Sequence, residues 1–209
     1  MPNLSPNISD SYLTILAPAI NEIMVKKSRF LAQCFPVQSK DEIDNILIQI
    51  HKEHYTANHH CFAYRIGSDD KIYHYSDDGE PSGTAGKPIL QAIDHFHYTN
   101  VLVVVTRYFG GIKLGVGPLH RAFYDASFSV LSQATPRQVF LTKMYKIITD
   151  YNNINILKKI FEEFTTNYDE IYSEYVEFYP NVLISRICEF ENEIIRKTNG
   201  QIHFEIIEN

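Results

Sequence analysis

A strand that runs directly into a glycine-rich, cationic loop and then into a helix is the strongest constraint on this sequence. Residues 101–105 are wholly apolar, and residues 108–117 contain four glycines. An apolar strand of this kind is typical of the centre of a sheet, so we predict a central strand over 101–106. We predict a helix from Pro118 to Gln133, because proline suits a first helical turn. This order points N–H groups and cations at one spot, which suits a phosphate or another anion.

Another glycine-rich loop, the first loop in chain order, lies upstream over residues 77–87 and opens a predicted helix from about Lys87 to His97. The loop over residues 108–117 is the second loop. Its hydroxyls are candidate caps for free backbone N–H groups. We expect the function to lie where the two loops meet. The candidate anion- or nucleic-acid-binding residues are Ser82, Gly83, Thr84, Arg107, Tyr108, Phe109, Gly110, Gly111, Lys113 and Arg121. Three acids of the first loop would repel a phosphate, and we expect them to pair with Arg107 and Arg121 and orient them: Asp77, Asp78 and Glu80. The alternative is a tight, well-capped loop without a ligand.

Charge is distributed unevenly along the chain. The net charge is −6, but residues 95–149 hold six Lys or Arg against one Asp. The second loop therefore lies in a basic island between two acidic segments, and such asymmetry indicates a polyanionic partner. The alternative is that these cations are scattered over solvated surface.

The remaining pattern predicts two domains of the α+β class, residues 1–134 and 137–209. The first has short strands within 10–24, then strand 28–37, helix 41–54 and a hairpin of strands 60–66 and 71–76. The second follows the order strand, helix, strand, strand, helix, strand, which is typical of a ferredoxin-like βαββαβ fold. Its predicted elements are strand 139–149, helix 153–164, strands 170–178 and 182–187, helix 189–198 and strand 201–207.

Several common sites are not indicated. The second loop lacks the Gly-Lys-Ser/Thr ending of a Walker loop and the glycine spacing of a dinucleotide fingerprint. Ser82 lacks a nucleophile elbow. His59-His60-Cys61 looks like a metal fragment, but neighbouring strand residues point to opposite faces. We therefore expect no metal and no cofactor. Three scattered cysteines suggest a reduced cytoplasm, and neither a membrane helix nor a signal peptide is expected.

Residues 79–90 and 103–115 resemble the signature of the YigZ/IMPACT family, and residues 26–30 and 57–64 are similar to its earlier blocks. The C-terminal domain resembles the short ferredoxin-like domain of bacterial YigZ members. The resemblance implies a first domain with the left-handed βαβ fold of a ribosomal small-subunit protein and elongation factor G. It implies a role near translation, because eukaryotic IMPACT relatives regulate translation. It supplies no catalytic residues. Pro118 and His120 depart from the usual family residues.

Three functions follow as hypotheses. The leading one is a cytoplasmic, translation-linked protein that contacts RNA or a ribosomal phosphate surface, with Arg107, Lys113 and Arg121 neutralising phosphates. The second is a nucleotide-dependent phosphotransfer or hydrolytic enzyme that uses Ser82 or Asp78. The third is a protein-interaction module whose acidic C-terminal face comprises Glu162, Glu163, Glu189, Glu191 and Glu193.

Overall fold

The computed structural model describes residues 10–68 and 72–207, which form two compact units. The first unit is Tyr12–Val139; the second contains the chain from Phe140 onward together with Asp10 and Ser11. Residues 69–71 of the hairpin turn expected in the first domain lie outside the described residues. The strands are β1 (Ser11–Ile15), β2 (Ala19–Val25), β3 (Ser28–Pro36), β4 (His59–Ile66), β5 (Ile72–Ser76), β6 (Val101–Tyr108), β7 (Pro136–Phe140), β8 (Thr142–Thr149), β9 (Thr165–Tyr172), β10 (Val176–Leu183) and β11 (His203–Ile207). The α-helices are α1 (Lys40–Glu53), α2 (Gly86–His95), α3 (Val116–Gln133), α4 (Ile154–Phe164) and α5 (Ile187–Lys197).

The main sheet of the first unit has the order β2-β3-β6-β4-β5, with antiparallel neighbours. The apolar strand β6 is central, as its sequence predicts, and is buried from Val101 to Arg107. Strands β3 and β4 flank it, run parallel to each other and are joined through α1. The α+β fold class is confirmed.

The core of the first unit is divided between the two faces of this sheet. Helices α2 and α3 cover one face, where Ile89 and Phe123 join the buried Phe30 and Val103. Helix α1 covers the other face, where it packs against residues such as Leu102. Two loops lead into the helices that pack on the same face of the main sheet. The first loop (residues 77–85) precedes α2, and the second loop (residues 109–115) precedes α3.

The second unit is a four-stranded antiparallel sheet of order β11-β8-β10-β9, with α4 and α5 packed on one face. This is the strand order of the predicted ferredoxin-like fold. The predicted hairpin was wrong in position: the turn lies over residues 173–175, and Pro180 lies inside β10 rather than in the turn. The register shifts between Pro180 and Val182. A bulge accommodates a proline within a sheet because it interrupts the hydrogen-bonded ladder.

Helix starts differ slightly from the predicted ones. Helix α3 begins at Val116, so Pro118 lies inside its first turn rather than at its first residue, and α2 begins at Gly86. Within the described residues, no helix is both long enough and apolar enough to span a bilayer.

Candidate nucleic-acid interface

The two loops meet at a pocket, here called the loop pocket, with a volume of about 370 Å³. This volume lies within the usual range of small-ligand sites. The first loop contributes an acid and a proline to the wall, and β6, the second loop and α3 contribute the rest. The lining residues are Glu80, Pro81, Arg107, Phe109, Lys113, Leu114, Gly115, Val116 and Leu119.

The anion cradle predicted in the first loop is filled by a carboxylate of the same chain. Asp77 Oδ1 accepts hydrogen bonds from the N–H groups of Ala85 (3.0 Å) and Gly86 (2.8 Å), and Oδ2 accepts one from Gly83 (2.8 Å). A carboxylate is favourable here because the N-terminus of α2 carries partial positive charge. An external anion would have to displace Asp77, which corrects the predicted binding role of this loop.

The hydroxyls of the first loop do not cap α2 either. The Thr84 hydroxyl is buried and donates to the carbonyl of Pro81 at 2.6 Å. Ser82 is exposed, and within the part of the chain that the structure describes its hydroxyl has no hydrogen-bond partner. Neither arrangement provides a nucleophile with an adjacent base.

Two of the three orienting acids bind backbone groups instead of arginine. Asp77 holds the start of α2, and Asp78 Oδ2 accepts from the N–H of His60 at 2.5 Å. Glu80 does pair with arginine as predicted: Arg107 Nη1 lies 2.5 Å from Glu80 Oε1. The expectation of pairing with Arg121 is also corrected, since its guanidinium lies 3.6 Å from Asp125 on exposed surface.

Arg107 is therefore not a free phosphate ligand. Its side chain is 7% exposed and that of Glu80 is 3% exposed, so the pair is buried and its charges cancel. The guanidinium lies over the rings of Phe30 and Phe109, at 5.4 and 5.5 Å from their centroids. Its Nε–H lacks a hydrogen-bond partner among the described residues. Arg107 forms the neutral floor of the loop pocket rather than a cationic rim.

The second loop is fixed against the turn that joins β2 to β3. A Cβ added to Gly110 would lie 2.0 Å from the carbonyl oxygen of Lys27, so only glycine permits this approach. The Gly110 N–H donates to Ser28 Oγ at 3.2 Å, and the Phe109 N–H donates to Asn58 Oδ1 at 2.7 Å. The loop is thus positioned by contacts with two other parts of the unit. Gly111 is exposed, with φ +84°.

The N-terminus of α3 is open, in contrast to that of α2. Gly115 is the N-cap at φ +82°, and among the described residues no side chain caps the helix and no acid lies in its first turn. The first N–H groups of a helix have no intrahelical partner. The helix therefore does not use those of Val116 and Gly117, and Val116 lines the loop pocket.

The two candidate aromatic residues have different environments. Tyr108 is half-buried, its hydroxyl lies 2.9 Å from His54 Nδ1, and its ring lies beneath the guanidinium of Arg29. Phe109 is 44% exposed and lines the loop pocket. Only Phe109 of this pair offers a ring face for stacking.

Two cations that sequence reasoning left out of the site lie beside the second loop. Lys26 and Lys27 form the exposed β2–β3 turn, with φ angles of 44° and 67°. Lys113 and Arg121 are also exposed. The signal was present, because the Lys-Lys pair belongs to a block that resembles the family. Its approach to Gly110, however, depends on strand pairing that no local pattern encodes.

The His59-His60-Cys61 segment is structural. Within residues 10–68 and 72–207, no group of three or more His, Cys, Asp or Glu side chains is arranged to hold a metal ion. Burial, together with the nearby carboxylates of the first loop, raises the pKa of the Cys61 thiol, which donates to the Asp77 carbonyl. Burial also lowers the pKa of His60. Both groups are held in their neutral forms.

Comparison with known sequences now decides the family. The family described as "Impact N-terminal domain" matches residues 26–131, half of the chain, and the match includes both loops and the lysine turn. The chain belongs to the IMPACT family. The IMPACT family member YvyE of Bacillus subtilis is 36% identical over 192 residues, which cover 91% of this chain and 88% of that protein.

Other IMPACT relatives extend over both units. Escherichia coli YigZ is 27% identical over 202 residues, covering 95% of this chain and 99% of the relative. A crystal structure described only as that of a hypothetical protein is 28% identical, with a TM-score of 0.66, and covers 97% of this chain and 100% of its own. The resemblance to the YigZ/IMPACT family is therefore confirmed.

The acidic C-terminal face of this IMPACT-family chain is largely neutralised by its own residues. Arg186 pairs with Glu163 at 3.3 Å and with Glu189 at 2.9 Å. Glu193 pairs with Arg196, and Glu191 accepts from Tyr145. Four of the five acids proposed for partner capture thus have internal partners, which weakens the interaction-module hypothesis.

Proposed function

We propose that this IMPACT-family protein is a cytoplasmic, translation-linked binding protein that contacts RNA or a ribosomal phosphate surface around its second loop. The observation that carries the proposal is the meeting of two cation-bearing segments next to an exposed aromatic residue. The backbone of the Lys26–Lys27 turn packs against Gly110 of the loop that presents Lys113, all three lysines are exposed, and the exposed Phe109 is the chain neighbour of Gly110. Exposed cations beside an exposed ring are the means by which single-stranded nucleic acid is held.

The backbone of the lysine turn supports a functional role. Both lysines have positive φ angles, a conformation that in two-residue hairpin turns is normally taken by Asn-Gly or a similar pair. Left-handed non-glycine residues cost about 1–3 kcal/mol each and cluster at functional sites. The strain at Lys26 and Lys27 supports the view that their ammonium groups are retained for binding.

The family relationship supports the link to translation. The resemblance to eukaryotic IMPACT proteins, which regulate translation, concerns the first unit, where the family match and the proposed interface coincide. The buried Arg107–Glu80 pair then holds the two loops together, and the exposed lysines contact phosphate.

The test is the salt dependence of RNA binding. Binding of a short single-stranded RNA, and co-sedimentation with ribosomes, are measured over a salt series for the wild type and for Lys27→Gln/Lys113→Gln. Loss of two phosphate contacts should reduce the slope of log K against log salt by about 1.4. The matched control is Lys143→Gln/Lys159→Gln, which removes two exposed lysines from the second unit. Equal slopes for the wild type and the loop variant, or no binding by the wild type, would contradict the proposal.

A further inference from the structure

We propose that the loop pocket holds one nucleotide of a single-stranded RNA, with its phosphate at the N-terminus of α3 and its base inside the pocket. This inference rests on the proposed function and specifies which part of the RNA enters the first unit. Three independent features of the described residues carry it: an uncapped helix, an apolar pocket beside it, and a buried arginine with an unpartnered N–H.

The phosphate position follows from the open end of α3. Val116 and Gly117 present N–H groups that the helix itself does not use, at the positive end of its dipole. The exposed ammonium of Lys113 lines the same pocket. Glu80, which is the one acid lining the pocket among the residues that the structure describes, is buried against Arg107, so its charge is cancelled rather than directed at an incoming phosphate.

The base position follows from the walls of the pocket. Pro81, Leu114 and Leu119 are apolar, and the ring of Phe109 forms one side. A charged group would lose its hydration against these walls, whereas a flat base would stack on the ring, as bases do on aromatic platforms.

The floor of the pocket offers a hydrogen-bond donor to the base. Arg107 and Glu80 cancel each other's charge, so the floor attracts neither a carboxylate nor a second phosphate. What remains is the Nε–H of Arg107, a buried donor without a partner among the described residues. An unmade hydrogen bond of this kind is costly. An acceptor on the inserted base, either a carbonyl oxygen or a ring nitrogen, would satisfy it.

The experiment compares the affinity of the full chain for three probes. These are an oligouridylate, the same oligomer with one internal abasic site at each position in turn, and free uridine monophosphate. Stacking alone is worth about 1–3 kcal/mol per base, so removal of the inserted base should weaken binding by about tenfold.

Two variants locate the effect. Val116→Trp fills the pocket from a 66% exposed position, and Phe109→Ala removes the stacking ring. Both should abolish the difference between the intact and abasic oligomers while retaining salt-dependent binding. Tyr175→Ala, a 54% exposed aromatic residue in the second unit, is the matched control and should behave as the wild type.

The outcomes separate this inference from the proposed function. If intact and abasic RNA bind equally tightly and the loop lysines still matter, the inserted base is refuted while the RNA interface stands. If the free monophosphate binds as tightly as the oligomer, the pocket belongs to a free nucleotide and the inference is overturned. If no RNA binds, the proposed function fails, and this inference fails with it.

Discussion

The first and second loops have similar sequences but differ in whether an acid of the same chain binds the helix N-terminus that follows. Both are rich in glycine, both follow a strand and both open a helix of the same face. In the first, Asp77 supplies the anion that the N-terminus of α2 requires. In the second, no acid of the described chain takes that place, and Lys113 lies at the pocket rim. A glycine loop before a helix is therefore a candidate site only where its own chain leaves the donors unused.

The largest expected effect concerns the pair that joins the two loops. Glu80→Ala leaves the Arg107 guanidinium buried and unpaired, and we expect a loss of about 3–5 kcal/mol in the free energy of unfolding. Denaturant titration measures it. The double variant Glu80→Ala/Arg107→Met should recover much of that loss, because it removes the buried, unpaired charge. A double variant no more stable than the single one would show that packing, not charge, explains the effect.

The next largest effect on stability comes from removing the carboxylate that fills the first loop. Asp77→Ala leaves three N–H groups without their acceptor, and we expect a loss of about 3 kcal/mol from unmade hydrogen bonds and the lost cap. Added formate or acetate should then raise the melting temperature of the variant more than that of the wild type, because the vacated position accepts a small carboxylate. An identical response of both proteins would contradict the role assigned to Asp77.

A smaller effect separates stability from binding at the lysine turn. Replacing Lys26-Lys27 by Asn-Gly relieves two left-handed lysines, and we expect a gain of about 1–2 kcal/mol in the free energy of unfolding. The same change should weaken RNA binding and reduce its salt slope. Thermal denaturation and the RNA titration check the two arms. A destabilised variant, or one with undiminished RNA affinity, contradicts the account of this turn.

The smallest expected effect on stability comes from a substitution that gives the second loop a carboxylate like that of the first loop. Val116→Asp places a carboxylate at the first residue of α3, where it should stabilise the helix by about 0.3–1 kcal/mol. The same charge should repel an incoming phosphate, so RNA affinity should fall although stability rises. Val116→Asn has a similar size without the charge and serves as the control. An unchanged affinity for RNA in the aspartate variant would place the phosphate elsewhere.

Much of the fold was predictable because local patterns decide it. The apolar run in β6 predicts a central strand, and the alternation of helices and strands after residue 137 predicts the ferredoxin-like order. The predicted turn between strands 170–178 and 182–187 contains Pro180, and a proline in a turn and a proline at a bulge look alike in sequence. The two interpretations differ only in which backbone groups pair, and that depends on the neighbouring strands.

The site was only partly predictable, because its decisive contacts are not local. That the loops meet, and that Glu80 pairs with Arg107, agree with the expectation drawn from their charges. Asp77, however, acts on N–H groups six to nine residues further along the chain, which is beyond the reach of a standard capping pattern. The lysine turn reaches Gly110 only through the pairing of β3 with β6.

The most direct test of the contrast between the loops is an NMR titration of the amide-labelled protein with oligouridylate. We expect the amide signals of Val116 and Gly117 to shift and saturate together. The signals of Gly83, Ala85 and Gly86 should not shift, because their N–H groups already donate to Asp77. Saturable shifts at the first loop, with none at the start of α3, would contradict the account.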